Sequence, residues 1–156
     1  MLIREAVASD IPQISYLLKQ ILTVHAKGRP DIFKADTQKY TEAELFEIIS
    51  DPVHPVYVYE DEDGTVAGYA ICEYKNQEET NTLYPRTSIY IDDLCVDEPK
   101  RGLGIGTKLY EYVVEKARDE HIGSVTLNVW NCNEKAIAFY KKCGMQPMKI
   151  MMEKRI

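Results

Sequence analysis

The sequence predicts an α/β fold of the α+β kind, in which helices cover a mixed β-sheet. Two observations lead to this class. First, two apolar segments, 56–59 and 66–74, flank the acidic turn Glu60-Asp-Glu-Asp-Gly64, an arrangement typical of a β-hairpin. Second, the C-terminal half alternates between strand-like and helix-like segments, as in sheets whose faces are covered by helices.

Hydrophobic spacing assigns the elements in order. The first helix begins after a cap at Ser9 or Asp10, because apolar residues then recur every three or four positions. Thr41 opens the second helix in a capping box with Glu44, and Gly144 ends the last helix. The predicted helices span 9–24, 41–50, 105–121 and 133–144, and the predicted strands span 2–7, 56–59, 66–74, 87–97, 124–130 and 148–156.

Length and composition describe one ordinary globular domain, 1–156, with a net charge of −6. No apolar run approaches the roughly 18 residues that span a bilayer, and the N-terminus lacks an apolar signal core. We therefore expect a cytoplasmic protein without a membrane partner. The acidity argues against nucleic acid as a partner and is compatible with a cationic substrate, although solubility alone would also explain it.

The cysteines and histidines form no pattern typical of metal ligands. The sequence holds four cysteines without a CxxC pair and three histidines without an HExxH pair. We expect reduced, mostly buried thiols and no metal site. The cysteines are Cys72, Cys95, Cys132 and Cys143.

The segment PKRGLGIGTKL, residues 99–109, indicates an anion site. A dinucleotide fingerprint would need glycine where Thr107 stands, and a P-loop would need Gly-Lys-Ser/Thr at its end. Small residues at a helix start nevertheless let backbone N–H groups converge where the helix dipole favours negative charge. Lys100, Arg101 and Lys108 add positive charge at the same place.

Two motifs resemble those of one enzyme family. Arg101-Gly-Leu-Gly-Ile-Gly106 is similar to the Arg/Gln-x-x-Gly-x-Gly/Ala signature of the GNAT superfamily of N-acetyltransferases, and NEKAIAFYKKCG (133–144) resembles its N-x-x-A-x-x-F-Y-x-x-x-G element. The resemblance implies a single-domain GNAT-like fold with a mixed, mostly antiparallel, twisted sheet of six to seven strands and about four helices. It also implies an acetyl-CoA-dependent N-acetyltransferase. Small enzymes of this family are often dimers, which leaves a homodimer open.

The resemblance further implies how acetyl-CoA binds. Backbone amides at 102–107 would hold the pyrophosphate, with Arg101 near the phosphates. Leu94 and Val96 would pair their backbone with the pantetheine arm, and Asn133 would contact it besides capping its helix. The implied cofactor-binding residues are Leu94, Cys95, Val96, Arg101, Gly102, Leu103, Gly104, Ile105, Gly106, Thr107 and Asn133.

Residue parity predicts a distortion before the glycine segment. Ile89 and Ile91 occupy odd positions, whereas Leu94 and Val96 occupy even ones. One extra residue at 92–93, a β-bulge, would put all four on one face. In the family a bulge at this point opens a slot for the cofactor; the alternative is a strand that ends at residue 92.

Acetyl transfer to an amine needs a base and an acid. A free alkylammonium has a pKa of about 10.4, so a group must take its proton, and the departing thiolate needs a donor. By resemblance Tyr140 is the acid. "IDDLCV" is similar to the acidic pair of diamine acetyltransferases, which makes Asp92 the base and Asp93 an acceptor contact; a solvated pair that only shapes the bulge is the alternative. Cys95 and Cys143 lack an activating histidine, so direct attack in a ternary complex is expected.

Three functions remain possible for this chain, and the first two differ in their acceptor. A small-molecule amine, with polyamines as one option, is the leading hypothesis. A protein lysine or N-terminus is the second, although Asn128 stands where some ribosomal-protein acetyltransferases carry glutamate. A non-catalytic acyl-CoA-binding module is the third. Loops 25–40 and 75–86, with Phe33, Tyr40 and Tyr84, would wall the acceptor site.

Overall fold

The computed structural model describes residues 2–156 and confirms the predicted fold class. Over these residues four α-helices flank one mixed sheet of five strands. Two short 3-10 turns, Ala8–Asp10 and Glu98–Lys100, precede α1 and α3. The helices are α1 (Ile11–Gly28), α2 (Glu42–Ser50), α3 (Ile105–Asp119) and α4 (Glu134–Lys142). The strands are β1 (Leu2–Glu5), β2 (Val56–Glu60), β3 (Val66–Gln77), β4 (Arg86–Val96) and β5 (Val125–Leu127).

The strands lie in the order β1-β2-β3-β4-β5. All neighbouring pairs are antiparallel except β4 and β5, which are parallel. Apolar residues of α1 and α2 pack with Val58 and Ile71 on one face of the sheet. On the other face Val113 and Ala117 of α3 pack with Ile89. The core is therefore double-layered, with the sheet buried between two helical layers.

β4 contains the predicted bulge. Ile71 of β3 pairs with Asp93, and the next residue, Cys72, pairs with Ile91. Asp92 is therefore the extra residue, which no residue of β3 opposes.

The bulge puts the apolar side chains of β4 on one face, as the parity predicted. Ile89, Ile91 and Leu94 all pack in the cluster formed with α3. Val96 joins Leu94 in the adjoining cluster around Ile105. The alternative that the strand ends at residue 92 is wrong.

Helix ends follow the local capping chemistry, with one difference. The Thr41 hydroxyl accepts from the Glu44 N–H at 3.2 Å, and the Glu44 carboxylate accepts from the Thr41 N–H at 2.8 Å, so the capping box is confirmed. Asp10 precedes α1 but makes no side-chain cap. Its carboxylate accepts from the Val7 N–H at 2.8 Å and pairs with Arg4 at 2.7 Å instead.

The predicted strand 148–156 is wrong: these residues belong to no strand, and the sheet of the described chain has five strands rather than six to seven. The tail is exposed and is held by side chains. Arg29 pairs with Glu153 at 3.0 Å, and Arg155 pairs with Asp31 at 3.2 Å. A strand-like sequence forms a strand only when it can pair with a neighbouring strand. β5 has only three residues, so the sheet offers the tail little edge for pairing.

None of the helices within residues 2–156 combines the length and the hydropathy that crossing a bilayer requires.

Candidate active site

A slot opens where β4 and β5 separate. The two strands pair only through Ile89–Val125, Tyr90–Thr126 and Ile91–Leu127. The bulge follows immediately, and β5 ends at Leu127, where the prediction extended it to 130. The second half of β4 therefore has a strand neighbour on its β3 side alone.

The backbone of that half-strand is directed into the slot. The Asp97 N–H donates to the Ala67 carbonyl at 2.9 Å, on the β3 side. Because N–H and C=O groups alternate sides along a strand, those of Leu94 and Val96 are directed away from β3. The Val96 carbonyl accordingly accepts from Arg101 Nε at 2.9 Å. These two backbone positions are the ones expected to pair with an extended ligand.

The glycine turn leads into the N-terminus of α3. Gly102 and Gly104 have φ values of 84° and 81°, a left-handed region that favours glycine. No atom of residues 2–156 lies within 4 Å of a Cβ built at either, so conformation rather than space requires glycine. A Cβ on Gly106 would lie 3.4 Å from the Phe139 ring, an ordinary contact distance, so space alone does not require glycine at this position. The N–H groups of the first turn of α3, which has no earlier turn to accept them, lie at this end.

The basic residues around the turn differ in their availability. Lys100 pairs with Asp61 at 2.6 Å, and the Lys108 ammonium lies 5.6 Å from the centroid of the Tyr59 ring. Arg101 lies along the slot edge through its bond to the Val96 carbonyl. The backbone amides and Arg101 therefore carry most of the capacity for an anion.

Cys95 contributes backbone only. Its side chain is buried on the α1 face, where Sγ donates to the Leu17 carbonyl at 3.6 Å, and burial raises its pKa to about 12. Burial also raises the pKa of Cys143. Neither thiol is poised as a thiolate nucleophile. All four cysteines are free; Cys72 and Cys95 are buried, whereas Cys132 is exposed, so the thiols are less buried than expected.

Asp92 holds a cation. Its Oδ2 atom accepts from Lys39 Nζ at 2.8 Å and from the Tyr40 hydroxyl at 2.6 Å. Lys39 Nζ also donates to the Asp92 backbone carbonyl at 3.1 Å. The carboxylate is thus engaged by the segment that precedes α2.

The Asp93 carboxylate is shielded from solvent by the surrounding protein. It lies opposite Ile71, on the face covered by α1 and α2. Loss of water around the carboxylate raises its pKa to about 6; Lys39 opposes this shift and Asp92 adds to it. The buried Tyr69 hydroxyl lies next to Asp93, and burial together with the Asp93 charge raises its pKa well above the usual value.

Tyr140 projects from α4 between aromatic rings. Its ring centroid lies 5.0 Å from that of Phe139 and 6.4 Å from that of Tyr110. Burial first, and then the negative charge of Asp93, raise its pKa. The hydroxyl therefore keeps its proton at neutral pH and can donate it.

Asn133 and Asn128 have structural partners. Asn133 Oδ1 accepts from the Ala136 N–H at 3.2 Å, which is the predicted cap of α4. Asn128 Nδ2 donates to the Tyr90 hydroxyl at 3.1 Å. Leu103, in the glycine turn, is 69% exposed, so its backbone rather than its side chain faces any ligand held there.

Comparison with known proteins identifies this arrangement. Residues 19–145 match the model of the acetyltransferase (GNAT) family. The chain belongs to the GNAT family. It is accordingly an acetyl-CoA-dependent N-acetyltransferase, as the two motifs implied, and its reaction is acetyl transfer to an amine.

Individual proteins agree with the family. The chain is 26% identical over 156 residues to thialysine N-epsilon-acetyltransferase of Bos taurus, with 95% of this chain and 85% of the relative covered. A crystal structure of a point mutant of the BH1408 protein from Bacillus halodurans is 30% identical, with a TM-score of 0.97 over 100% of this chain and 99% of that one. An aminoglycoside N-acetyltransferase in complex with CoA has the same fold, with a TM-score of 0.73, 13% identity, and coverage of 99% and 98%.

The residues expected to wall the acceptor site have different surroundings in the structure. The Phe33 ring packs edge-on against Trp130 at 4.9 Å and lies 5.0 Å from the His25 ring. Tyr40 reaches Asp92, as described. Tyr84, by contrast, is 88% exposed in the exposed segment 78–85, and its place in the acceptor wall stays a prediction.

A cavity of about 200 Å³ adjoins the acidic pair. It combines an aromatic hydroxyl, two carboxylates and apolar walls. The lining residues are Tyr40, Ile48, His54, Ile71, Glu73 and Asp92.

Sequence reasoning missed three residues near the acceptor side: Lys39, His25 and Trp130. Neither Lys39 nor Trp130 belongs to a motif. Lys39 contacts Asp92, and Trp130 contacts Phe33, only once the segment before α2 has folded against the sheet. The apolar-to-polar alternation of residues 124–130 was a weak signal, since it placed Trp130 beside the slot strand.

Proposed function

We propose that this GNAT enzyme transfers the acetyl group of acetyl-CoA to a primary amine of a small molecule, by direct attack in a ternary complex. The observation that carries the proposal is the position of the bulge. It lies where β4 and β5 stop pairing and brings Asp92 and Asp93 to that point, with Asp93 within electrostatic reach of Tyr140. Cofactor groove and acceptor side meet at that point.

Acetyl-CoA would lie along β4. The N–H groups of the glycine turn and of the first turn of α3, residues 102–107, suit its pyrophosphate. The backbone of Leu94 and Val96 suits the amides of the pantetheine arm. Arg101 would release the Val96 carbonyl to them and move to the phosphates. Asn133 uses Oδ1 to cap α4. Its amide N–H₂ group would donate to the pantetheine arm.

The two aspartates suit exchanged roles compared with the sequence-based hypothesis. Asp92 already holds an alkylammonium and a tyrosine hydroxyl, which favours it as the contact that binds the acceptor's cation. Asp93, with a pKa of about 6, is the better acceptor for the proton that the amine must lose near neutral pH.

Tyr140 then supplies the second proton. The amine nitrogen bonds to the thioester carbon, the carbon–sulfur bond breaks, and the Tyr140 hydroxyl protonates the departing thiolate. Its raised pKa keeps that proton on the hydroxyl at neutral pH, and the transfer takes place as the carbon–sulfur bond breaks, with the hydroxyl restored by the proton that the attacking nitrogen loses.

A small, cationic acceptor suits the surroundings. The cavity beside Asp92 adds Glu73, so a second ammonium of a diamine would meet a second carboxylate. The net charge of −6 attracts such cations. Thialysine N-epsilon-acetyltransferase, to which the chain is similar, is named for a small amine acceptor. Polyamine-like diamines are therefore the acceptor class that we propose.

Release of CoA thiol across an amine panel tests the proposal. The panel comprises alkyl monoamines, diamines, spermidine, thialysine, lysine peptides and peptides with free N-termini. We expect the highest kcat/KM with diamines or thialysine. Turnover restricted to the peptides would favour a protein acetyltransferase, and a raised melting temperature with acetyl-CoA but no thiol release would favour a binding module.

A further inference from the structure

The ammonium of Lys39 occupies a built site. Three groups surround Nζ: Asp92 Oδ2 at 2.8 Å, the Asp92 carbonyl at 3.1 Å and the Tyr40 ring, whose centroid is 5.3 Å away. A carboxylate, a carbonyl and an aromatic ring are the groups that recognise an alkylammonium.

This site lies at the apex of the slot. Asp92 is the bulged residue, and β4 and β5 stop pairing at Ile91–Leu127, one residue before it. The Lys39 charge also acts on Asp93, the carboxylate proposed to receive the acceptor's proton. Lys39 therefore stands where the proposed reaction requires an amine.

We propose that Lys39 is an internal acceptor, which the enzyme acetylates at Nζ when acetyl-CoA is bound and no small amine is present. This inference rests on the proposed function, because it uses the same slot and the same acid and base. A small amine that enters the site displaces the Lys39 ammonium from Asp92 and thereby protects it.

The step balances as a simple acyl transfer. Lys39 Nζ gives one proton to the Asp93 carboxylate and attacks the thioester carbon, and the nitrogen–carbon bond of an amide forms. The carbon–sulfur bond breaks and the thiolate takes a proton from Tyr140. The second proton that the nitrogen loses as the amide forms restores the Tyr140 hydroxyl, and the proton held by Asp93 leaves to solvent. The products are N-acetyl-Lys39 and CoA, with one net proton released to solvent.

Lys34 provides a matched internal control. It lies five positions earlier in the same segment and is exposed, yet its ammonium makes no hydrogen bond or ion pair within residues 2–156. Lys39, whose side chain is 40% exposed, is no more accessible. Chemical acetylation by the thioester would therefore mark Lys34 at least as fast.

Peptide mass spectrometry of the full chain after incubation with acetyl-CoA alone tests the inference. We expect the acetylated fraction at Lys39 to rise at least roughly tenfold faster than at Lys34, with a rate constant independent of protein concentration, since the transfer occurs within one chain. Tyr140→Phe should slow Lys39 acetylation by roughly 10²–10⁴ and leave Lys34 unchanged. Spermidine should suppress the mark at Lys39.

Three outcomes would overturn the inference and are distinguishable. If amines release CoA thiol but Lys39 is marked no faster than Lys34, the internal acceptor is wrong and the proposed function stands. If neither amines nor Lys39 receive acetyl groups, both fail together. A Lys39 rate proportional to protein concentration would contradict transfer within the chain.

Discussion

Adjacent residues meet opposite surroundings at the bulge. Asp92 faces an ammonium and a hydroxyl, whereas Asp93 has lost solvent beneath the α1–α2 layer. A carboxylate that has lost much of its water binds its proton more tightly, which suits the proposed role of Asp93 as the base and also makes Asp93 a source of instability.

Asp93→Asn should therefore stabilise the protein at alkaline pH. The pKa of Asp93 is raised from 3.8 to about 6 in the folded state, so its favourable contribution is lost as pH rises through that interval. Relative to wild type, the variant should gain about 1 to 3 kcal/mol in the free energy of unfolding between pH 4.5 and pH 8. Urea unfolding at both pH values measures this. An equal change in the free energy of unfolding at the two pH values would show that the pKa of Asp93 is not raised in the folded state. The rate of acetyl transfer should fall whatever the effect on stability.

Tyr140→Phe should lower kcat by roughly 10²–10⁴ and leave the Kd for CoA unchanged, because the phenyl ring keeps its packing on Phe139 and only the proton donor is lost. Steady-state kinetics and calorimetry separate the two quantities. Tyr110→Phe, on the neighbouring ring, is the control and should change kcat by less than about twofold. Similar losses in both variants would remove the acid role from Tyr140.

Sequence reasoning located the two aspartates in the slot strand but not what they touch. Parity within β4 is a local property, so the bulge at Asp92 was predictable from four apolar side chains. Lys39 and Tyr40 lie 53 and 52 positions away from Asp92. Their contacts depend on how the segment before α2 folds, which no local pattern encodes.

Among the elements, the connection from β4 to α3 depends most strongly on backbone conformation. Gly104 is the N-cap of α3 and has a positive φ, whereas Gly123, before β5, does not. In both cases no atom of residues 2–156 lies within 4 Å of an added Cβ. The two glycines therefore differ in backbone strain alone.

Gly104→Ala should cost about 1 to 2 kcal/mol of stability and raise the Kd for CoA, because alanine disfavours the left-handed conformation that starts the helix. Gly123→Ala, the matched control, should leave both quantities nearly unchanged. Chemical unfolding and calorimetry check the pair. Equal effects would mean that conformation at Gly104 does not shape the cofactor site.

Elements with strong local signals were predicted correctly, whereas the strand predicted at 148–156 was wrong because it found no partner. The capping box that starts α2 and the left-handed Gly144 after α4 follow from residues within one turn. Strand pairing is non-local, so the alternating tail 148–156 gave no information on whether an edge was available to it. Ion pairs between its side chains and residues 29–31 hold it in an exposed position instead.

At the scale of the whole molecule, the proposed function assigns the two substrates to the two halves of the chain. The proposed cofactor side is the half-strand after the bulge, the glycine turn and α3. The proposed acceptor side is the segment 25–40. The sheet joins them at Asp92 and Asp93, which is why direct transfer in one ternary complex suits this fold.

A bisubstrate analogue tests that central claim most directly. In such a compound the nitrogen of an alkyl diamine is joined to the sulfur of CoA through an acetyl bridge, and the control compound ends in a neutral alkyl chain of equal length. Calorimetry should give a Kd at least roughly 10²-fold lower than for CoA, with most of the gain absent from the control. A Kd equal to that of CoA would contradict the account, since cofactor and cationic acceptor would then not meet in this slot.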